Sequence, residues 1–383
     1  MNILYDHQIF SLQDRGGISR YYTNLINWFK YDHNIRLPIW LSNNIYLKEF
    51  DQIGIKVDKF LPNLQWKGKN NLIYRRNKYK TLKNSNLENI FADIDIVHLT
   101  MFDPYLIKFL KKREIPWVFT IYDLNHKTQA KKYIGMCDYR NKIELLADQA
   151  DGIITVSNAT KKEFTKFYPD IEIKKIKTIH HSIDLLKIKN IYDKQTSSII
   201  DGNYIFFVWD RSSPHKNFIN FIKKIKDILN KDLKLVCLWK TLNLEEKKIL
   251  DRYKISDFVQ TISGGDNIKY NLYRYATCFV YPSIAEWFGI PILEARASGC
   301  PVICTDIEIF EEVGEQAVLY VDKDTLANTT SHILALLDKK NNLKKDIVFR
   351  GHQRVEVFDQ KYEINQTIEF YKHIINKYHK KVT

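Results

Sequence analysis

The chain has 383 residues, is 45% hydrophobic and 27% charged, and carries a formal net charge of +14. This length exceeds the size at which single cores stop growing, so two domains are expected, and no run approaches the roughly 18 uninterrupted apolar residues of a membrane-spanning helix. The terminus MNILYDHQIF shows no export signal, and five singly spread cysteines fit neither a disulfide framework nor a zinc site, so the expected setting is a reducing cytoplasm. The excess of cations implies an acidic partner, whether nucleic acid, anionic lipid or a phosphorylated ligand, or else a merely lysine-rich composition.

In chain order, the apolar strand NILYD leads to SLQDRGGISRYY, where Gly16 and Gly17 permit backbone conformations and close approach denied to other residues. WKGKNNLIYRRNKYKTLKN, Trp66 to Asn84, interleaves Trp66, Tyr74 and Tyr79 with seven cations. It reads either as a solvated helix face or as a contact for a membrane surface carrying an anionic acceptor. Asp93 and Asp95, ahead of the strand in FADIDIVHL, present a carboxylate pair on one side, which reads as structural rather than as a metal site.

The short apolar runs Ile115 to Asp123, Gly152 to Asn158, Asn203 to Asp210 and Leu233 to Trp239 end in polar residues and alternate with longer helical patterns. Strands apolar on both faces, alternating with helices, predict an α/β protein with parallel sheets in two successive blocks, hence two doubly wound domains meeting at a cleft. Leu185 to Asn203 lacks clear periodicity and reads as the linker, and the final EINQTIEFYKHIINKYHKK reads as a helix.

The second block opens with FFVWDRSSPHKNF, in which a strand runs into Asp210 and Arg211, and Pro214 and Lys216 lie where a helix is expected to begin. Free N–H groups there, with a guanidinium fork and an ammonium nearby, suit a phosphate; two ordinary surface cations are the other reading. Later, Thr277 to Tyr281 reads as a strand, a loop follows with Glu286, and Pro291 marks a helix start with Glu294 in its first turn. Loops at the carboxyl ends of parallel strands form the ligand crevice, where such carboxylates can accept hydrogen bonds from ligand hydroxyls.

Glu286 and Glu294, seven residues apart inside YPSIAEWFGIPILEARASGCPVICTD, together with DHQIF, GGISRYY, DIVHLTMFDPY, TVSNATKKEF and FRGHQRVEVFD, resemble the retaining nucleotide-sugar glycosyltransferases of family four, group 1. The resemblance covers almost the whole chain. It implies the GT-B fold, two Rossmann-like domains facing a central cleft: residues 1–190 on the acceptor side, 200–365 on the donor side, and a helix over 366–383 packing back toward the first domain.

By the same resemblance, Glu294 binds the nucleotide ribose and Glu286 the donor-sugar hydroxyls. Arg211 and Lys216 hold the diphosphate, with Gly16 and Gly17 bringing backbone N–H groups near it and Phe288, Gly289 and Ile290 also lining the donor site. Arg211, Lys216 and Glu286 are the expected catalytic set, with no metal and no cofactor. Where relatives place a His before the Asp, this chain has Tyr122 before Asp123; His126 follows, and reads as acceptor-side or as an ordinary loop histidine. Trp209 and Trp287 replace glycines of many relatives, which leaves donor selectivity open, and Ser182 replaces another.

The implied reaction is retaining transfer of a hexose from a nucleotide diphosphate sugar to a saccharide or lipid-linked acceptor. GDP-mannose or a related GDP-sugar is the first reading and a UDP-sugar the alternative. A sugar-nucleotide epimerase, a phosphorylase and a basic nucleic-acid-binding protein are the competing classes, and the last lacks a recognisable base-stacking platform. The expected location is the cytoplasm, either free or peripheral on the cytoplasmic membrane face.

Overall fold

The structure is a computed structural model. It describes all residues except 62–63, 65, 125–135, 196, 209–210, 212 and 383, so His126 and Trp209 lie outside the described residues. By internal contacts the chain divides into two units, one formed by Met1–Val156, Thr160–Ile179 and the residues from Ile364 onward, the other by Ser157–Ala159 and His180–Glu363.

Each unit is built on one parallel six-stranded sheet. In the first, β1 (Asn2–Tyr5), β2 (Asn34–Arg36), β3 (Ile96–Leu99), β4 (Trp117–Ile121), β5 (Gly152–Thr155) and β6 (Ile176–Thr178) lie in the order β2-β1-β3-β4-β5-β6. In the second, β7 (Asn203–Val208), β8 (Leu233–Leu238), β9 (Val259–Ile262), β10 (Cys278–Tyr281), β11 (Val302–Thr305) and β12 (Leu319–Val321) lie in the order β12-β11-β10-β7-β8-β9.

In the first order the winding reverses between β1 and β3, and in the second between β7 and β10. At such a switch point the connections leaving two neighbouring strands run to opposite faces and open a crevice at the carboxyl edge. The residues leaving β7 and β10 are those that contain Arg211, Lys216 and Glu286.

The strands are buried on both sides because helices cover both faces. Tyr204, Phe206 and Val208 of β7 enter one apolar cluster with Phe279, Tyr281 and Val302, while the intervening Ile205 and Phe207 enter another with Leu235, Cys237 and Val280. This period-two division makes each strand a continuous apolar run in sequence.

The first unit has a polar centre. The His98 imidazole on β3 is fully buried, with Nδ1 2.5 Å from the Tyr371 hydroxyl and Nε2 2.8 Å from Thr120 Oγ1, and burial pulls its pKa down to about 3. Tyr371 also meets the Tyr5 hydroxyl at 3.2 Å and belongs to the helix Gln360–Val382.

Two local expectations are corrected. The segment read as a linker is a helix over Leu185–Tyr192, because the Asp184 carboxylate caps it by accepting the Lys187 N–H at 2.8 Å and Ile188 is buried. At Pro214–Lys216 there is a single 3-10 turn, and the α-helix Phe218–Ile225 starts only after Asn217, whose φ is 56°. A left-handed residue interrupts the helical path and shifts the start by one turn.

Candidate functional site

The crevice edge of the second unit is tied together by its own loops. The Ile284 N–H, in the loop after β10, donates to the His215 carbonyl in the loop after β7 at 2.8 Å, and Thr305 Oγ1 at the end of β11 donates to the Ser283 carbonyl. These bonds fix the segment that carries Glu286.

Lys216 Nζ pairs with Glu286 Oε1 and lies 3.4 Å from the Tyr281 hydroxyl, over that ring at 5.3 Å from its centroid. Both side chains of the pair are largely buried, 11% and 5% exposed, so neither charge is strongly screened by water. Burial first, and the Glu286 charge second, push the Tyr281 phenol well above its ordinary range.

Gly289 begins the next element. Its φ of 101° is left-handed, and it precedes the helix Ile290–Ala297 with Pro291 in the first turn. A side chain there would be strained by that conformation and would press on the Phe310 ring at 3.1 Å, so glycine is favoured. Phe288 beside it is buried, while Ile290 is half-buried. Trp287, in place of the glycine of many relatives, packs edge-on against His181 with ring centroids 5.7 Å apart.

Glu294 lies one turn into that helix and is buried. Its Oε1 accepts from Lys269 Nζ at 2.6 Å and from the Tyr270 hydroxyl at 3.3 Å. Each of the two motif glutamates is therefore matched by a lysine from a different element, Lys216 for Glu286 and Lys269 for Glu294.

Arg211 is buried, and its guanidinium is occupied: Nε reaches Glu246 Oε1 at 3.1 Å, while the two terminal nitrogens donate to the carbonyls of Trp239, Lys240 and Thr241 at 3.0, 2.6 and 3.1 Å. Trp239 and Lys240 have φ of 64° and 46°, a strained turn for residues with side chains, and the guanidinium holds that turn by its carbonyls. Glu246 serves twice, since its other oxygen closes a capping box on Asn243 at the start of the helix Leu244–Arg252.

The remaining sequence candidates lie in the first unit. Gly16, in extended conformation, is the cap residue before the helix Gly17–Phe29, so the free N–H groups of that first turn begin at Gly17. Tyr122 follows β4, buried, with its ring 6.1 Å from that of Tyr21, and its carbonyl accepts from Thr160 Oγ1; Asp123 is half-buried beside it. Asp95 caps β1 by accepting the Asn2 N–H at 2.7 Å, and among the described residues no cluster of three potential metal ligands occurs.

Sequence reasoning missed Lys269 and Glu246. Lys269 has a legible signal: positions 269, 272, 273 and 276 form the apolar stripe of the helix Asp266–Tyr275 and its cap, and a lysine on such a stripe must have a buried anion to meet. Glu246 is legible only as a capping-box acid. Its bond to Arg211 joins residues 35 apart in sequence.

Known proteins resemble this chain in sequence and in fold. The family described as glycosyl transferases group 1 matches residues 191–354, and that described as glycosyltransferase family 4 matches residues 15–186. The O-antigen chain mannosyltransferase RfbU of Salmonella typhimurium is 31% identical over 54% of this chain, and the match spans 56% of that protein, little over half its length. Among solved structures, a glycosyltransferase from Rickettsia africae superposes with a TM-score of 0.71 at 19% identity, covering 98% of each chain. Anabaena Alr3699/HepE, solved with UDP and glucose, superposes with a TM-score of 0.70 at 15% identity, covering 96% of this chain and 98% of that one. With its two parallel six-stranded sheets and family matches that run in succession from residue 15 to residue 354, the chain belongs to the family 4, group 1 glycosyltransferases and has their GT-B fold.

Proposed function

We propose that the protein transfers a hexose, with retained anomeric configuration and without a metal, from a nucleoside-diphosphate sugar to a saccharide or lipid-linked acceptor. The observation that carries this reading is the buried Lys216–Glu286 pair at the switch point of the second sheet. Negative charge grows on the departing diphosphate as the glycosidic bond breaks, and a fixed ammonium beside it stabilises the transition state more than the ground state. Glu286 receives hydroxyls of the transferred sugar, and Glu294 those of the ribose. The incoming hydroxyl attacks the face the diphosphate leaves, and its proton passes to the leaving phosphate oxygen, so no protein nucleophile is needed.

Arg211 also contributes to the diphosphate site. Gly16 and Gly17 bring helix-start N–H groups toward the same anion.

A GDP-sugar, with mannose as the sugar, is the donor we favour, supported by the O-antigen mannosyltransferase among the relatives. A UDP-sugar is the second reading, supported by the neighbour solved with UDP and glucose. For the acceptor side we place Tyr122 and Asp123 near the incoming hydroxyl, and the exposed face of helix Lys69–Leu82 against the anionic surface of a membrane that presents the acceptor. Among the described residues no helix is long and apolar enough to cross that membrane.

The test is hydrolysis and transfer with a panel of GDP- and UDP-sugars in excess EDTA, with NMR of the product anomer. Turnover of one sugar nucleotide in EDTA with a retained anomer is expected. Loss of turnover that magnesium or manganese restores would overturn the metal-free step, and an inverted anomer the retaining one.

A further inference from the structure

The Lys269–Glu294 contact belongs to a longer row of alternating charge. Lys187, on the helix Leu185–Tyr192, meets Asp266 Oδ2 at 2.8 Å; Asp266 Oδ1 lies 3.2 Å from Lys269 Nζ; and Lys269 Nζ lies 2.6 Å from Glu294 Oε1. Lys269 is 2% exposed, and its ammonium sits 4.5 Å from the centroid of the Tyr270 ring. An ammonium held this deeply in an apolar helix stripe is costly unless its partners are fixed, and of its two carboxylate partners Glu294 is the nearer and the more buried.

Its effect is geometric. Among the described residues the partners of the Glu294 carboxylate converge on Oε1, one charged donor and one hydroxyl donor. A carboxylate gripped by one oxygen can no longer rotate about its terminal bond, and its second oxygen keeps one direction. We infer that Lys269 and Tyr270 are positioning residues that hold Glu294 by Oε1 so that Oε2 accepts from the ribose hydroxyls of the donor nucleotide. The inference rests on the reading that Glu294 meets the ribose. It extends that reading by assigning ribose recognition to a triad supplied by two helices, Asp266–Tyr275 and Ile290–Ala297.

The experiment measures dissociation constants of GDP and UDP and of their 2′,3′-dideoxy analogues by calorimetry. It uses the parent and the Glu294→Ala, Lys269→Met, Lys269→Arg and Tyr270→Phe variants, with thermal denaturation as the folding control. The parent should prefer the ribose form by about tenfold or more, the worth of a charge-assisted hydrogen bond. Glu294→Ala should abolish that preference. Lys269→Met should shrink it to about twofold while leaving the dideoxy affinity unchanged, and Lys269→Arg should restore most of it. Tyr270→Phe, which buries no new charge, should shrink the preference partly and carries the test if Lys269→Met does not fold.

An unchanged ribose preference in Lys269→Met, or in Tyr270→Phe where only that variant folds, would overturn the inference, provided Glu294→Ala has lost it. Equal loss of ribose and dideoxy affinity in Lys269→Met would also overturn it, since that is the signature of a general packing role. Retention of the preference in Glu294→Ala would instead overturn the underlying assignment of Glu294 to the ribose.

Discussion

Glu286 and Glu294 flank the left-handed turn at Gly289, and the proposed function gives them different duties. Glu294→Ala should weaken binding of the free nucleoside diphosphate by the loss of a charged hydrogen bond, on the order of 1.5 to 3 kcal/mol, while Glu286→Ala should spare it and lower sugar transfer. Calorimetric titration with the nucleoside diphosphate separates the two, and equal losses would end the division. Gly289→Ala tests the turn itself. Its φ of 101° and the Phe310 ring 3.1 Å from the added carbon should destabilise the fold by about 1 to 3 kcal/mol in chemical denaturation. Arg211 shows where residue-level reading stops. Its type and its place after a strand fit an anion site, but its occupied fork depends on the strained turn at Trp239 and Lys240, whose left-handed backbone follows from packing and not from any glycine in the sequence.

The helix Lys69–Leu82 divides its cations between two uses. Lys69 is buried, with Nζ donating to the Leu61 and Leu64 carbonyls at 2.8 Å each; Lys78 pairs with Asp103 at 2.7 Å; and Lys80 lies 4.6 Å from the centroid of the Trp40 ring. The exposed face keeps Arg75 and Arg76 together with Leu72 at 48% and Tyr79 at 74% exposure. Neutralising Arg75 and Arg76 should weaken binding to anionic vesicles by about 1 kcal/mol each in co-sedimentation, with donor hydrolysis unchanged. Lys78→Gln should leave vesicle binding nearly unaltered, because its charge is already paired. Undiminished vesicle binding in the Arg75, Arg76 variant would leave this face as solvated surface.

Sequence reading could list these cations but could not sort them, since Asp103 and Trp40 reach the helix only through the fold. The elements themselves were far more legible. The expected strands starting at Asn203 and Leu233 are found as Asn203–Val208 and Leu233–Leu238, legible because two-sided burial writes an apolar run into the sequence. Strand order and the pairing of Lys216 with Glu286 were not legible in periodicity. The family resemblance named both residues, and adjacency of β7 and β10 places them together.

At the scale of the whole molecule the two units differ in acid response. His7 and His98, both buried in the first unit, have pKa values lowered by burial to about 3, so each is neutral in the fold. For a base depressed in this way, stability is fully present above the ordinary value near 6.5 and is lost as pH falls toward 3, by up to about 1.4 kcal/mol per pH unit per group. Asp6 in the same unit acts in the opposite sense: burial raises its carboxyl to about 6, so its contribution is fully present below about 3.8 and lost as pH rises through 6. Two imidazoles against one carboxyl leave the first unit weakening on acidification from pH 7 to 5. Hydrogen exchange should show β1 and β3 losing protection faster than β7 and β10, and His98→Gln should reduce the difference; equal losses in both units would contradict it.

The place of Tyr371 sets an order of events on the ribosome. The hydroxyl that meets Tyr5 and His98 at the centre of the first unit is synthesised only after all twelve strands, so the sheet made first of the two is the last to close. At about 5 to 20 residues per second, the interval between completing β4 and reaching Tyr371 is about 10 to 50 s. Throughout it the nascent amino-terminal sheet holds His98 without its Tyr371 partner, and β5 lacks the Phe370 and Ile374 side chains that cover Gly152, so this sheet is exposed to chaperones and to aggregation for that time.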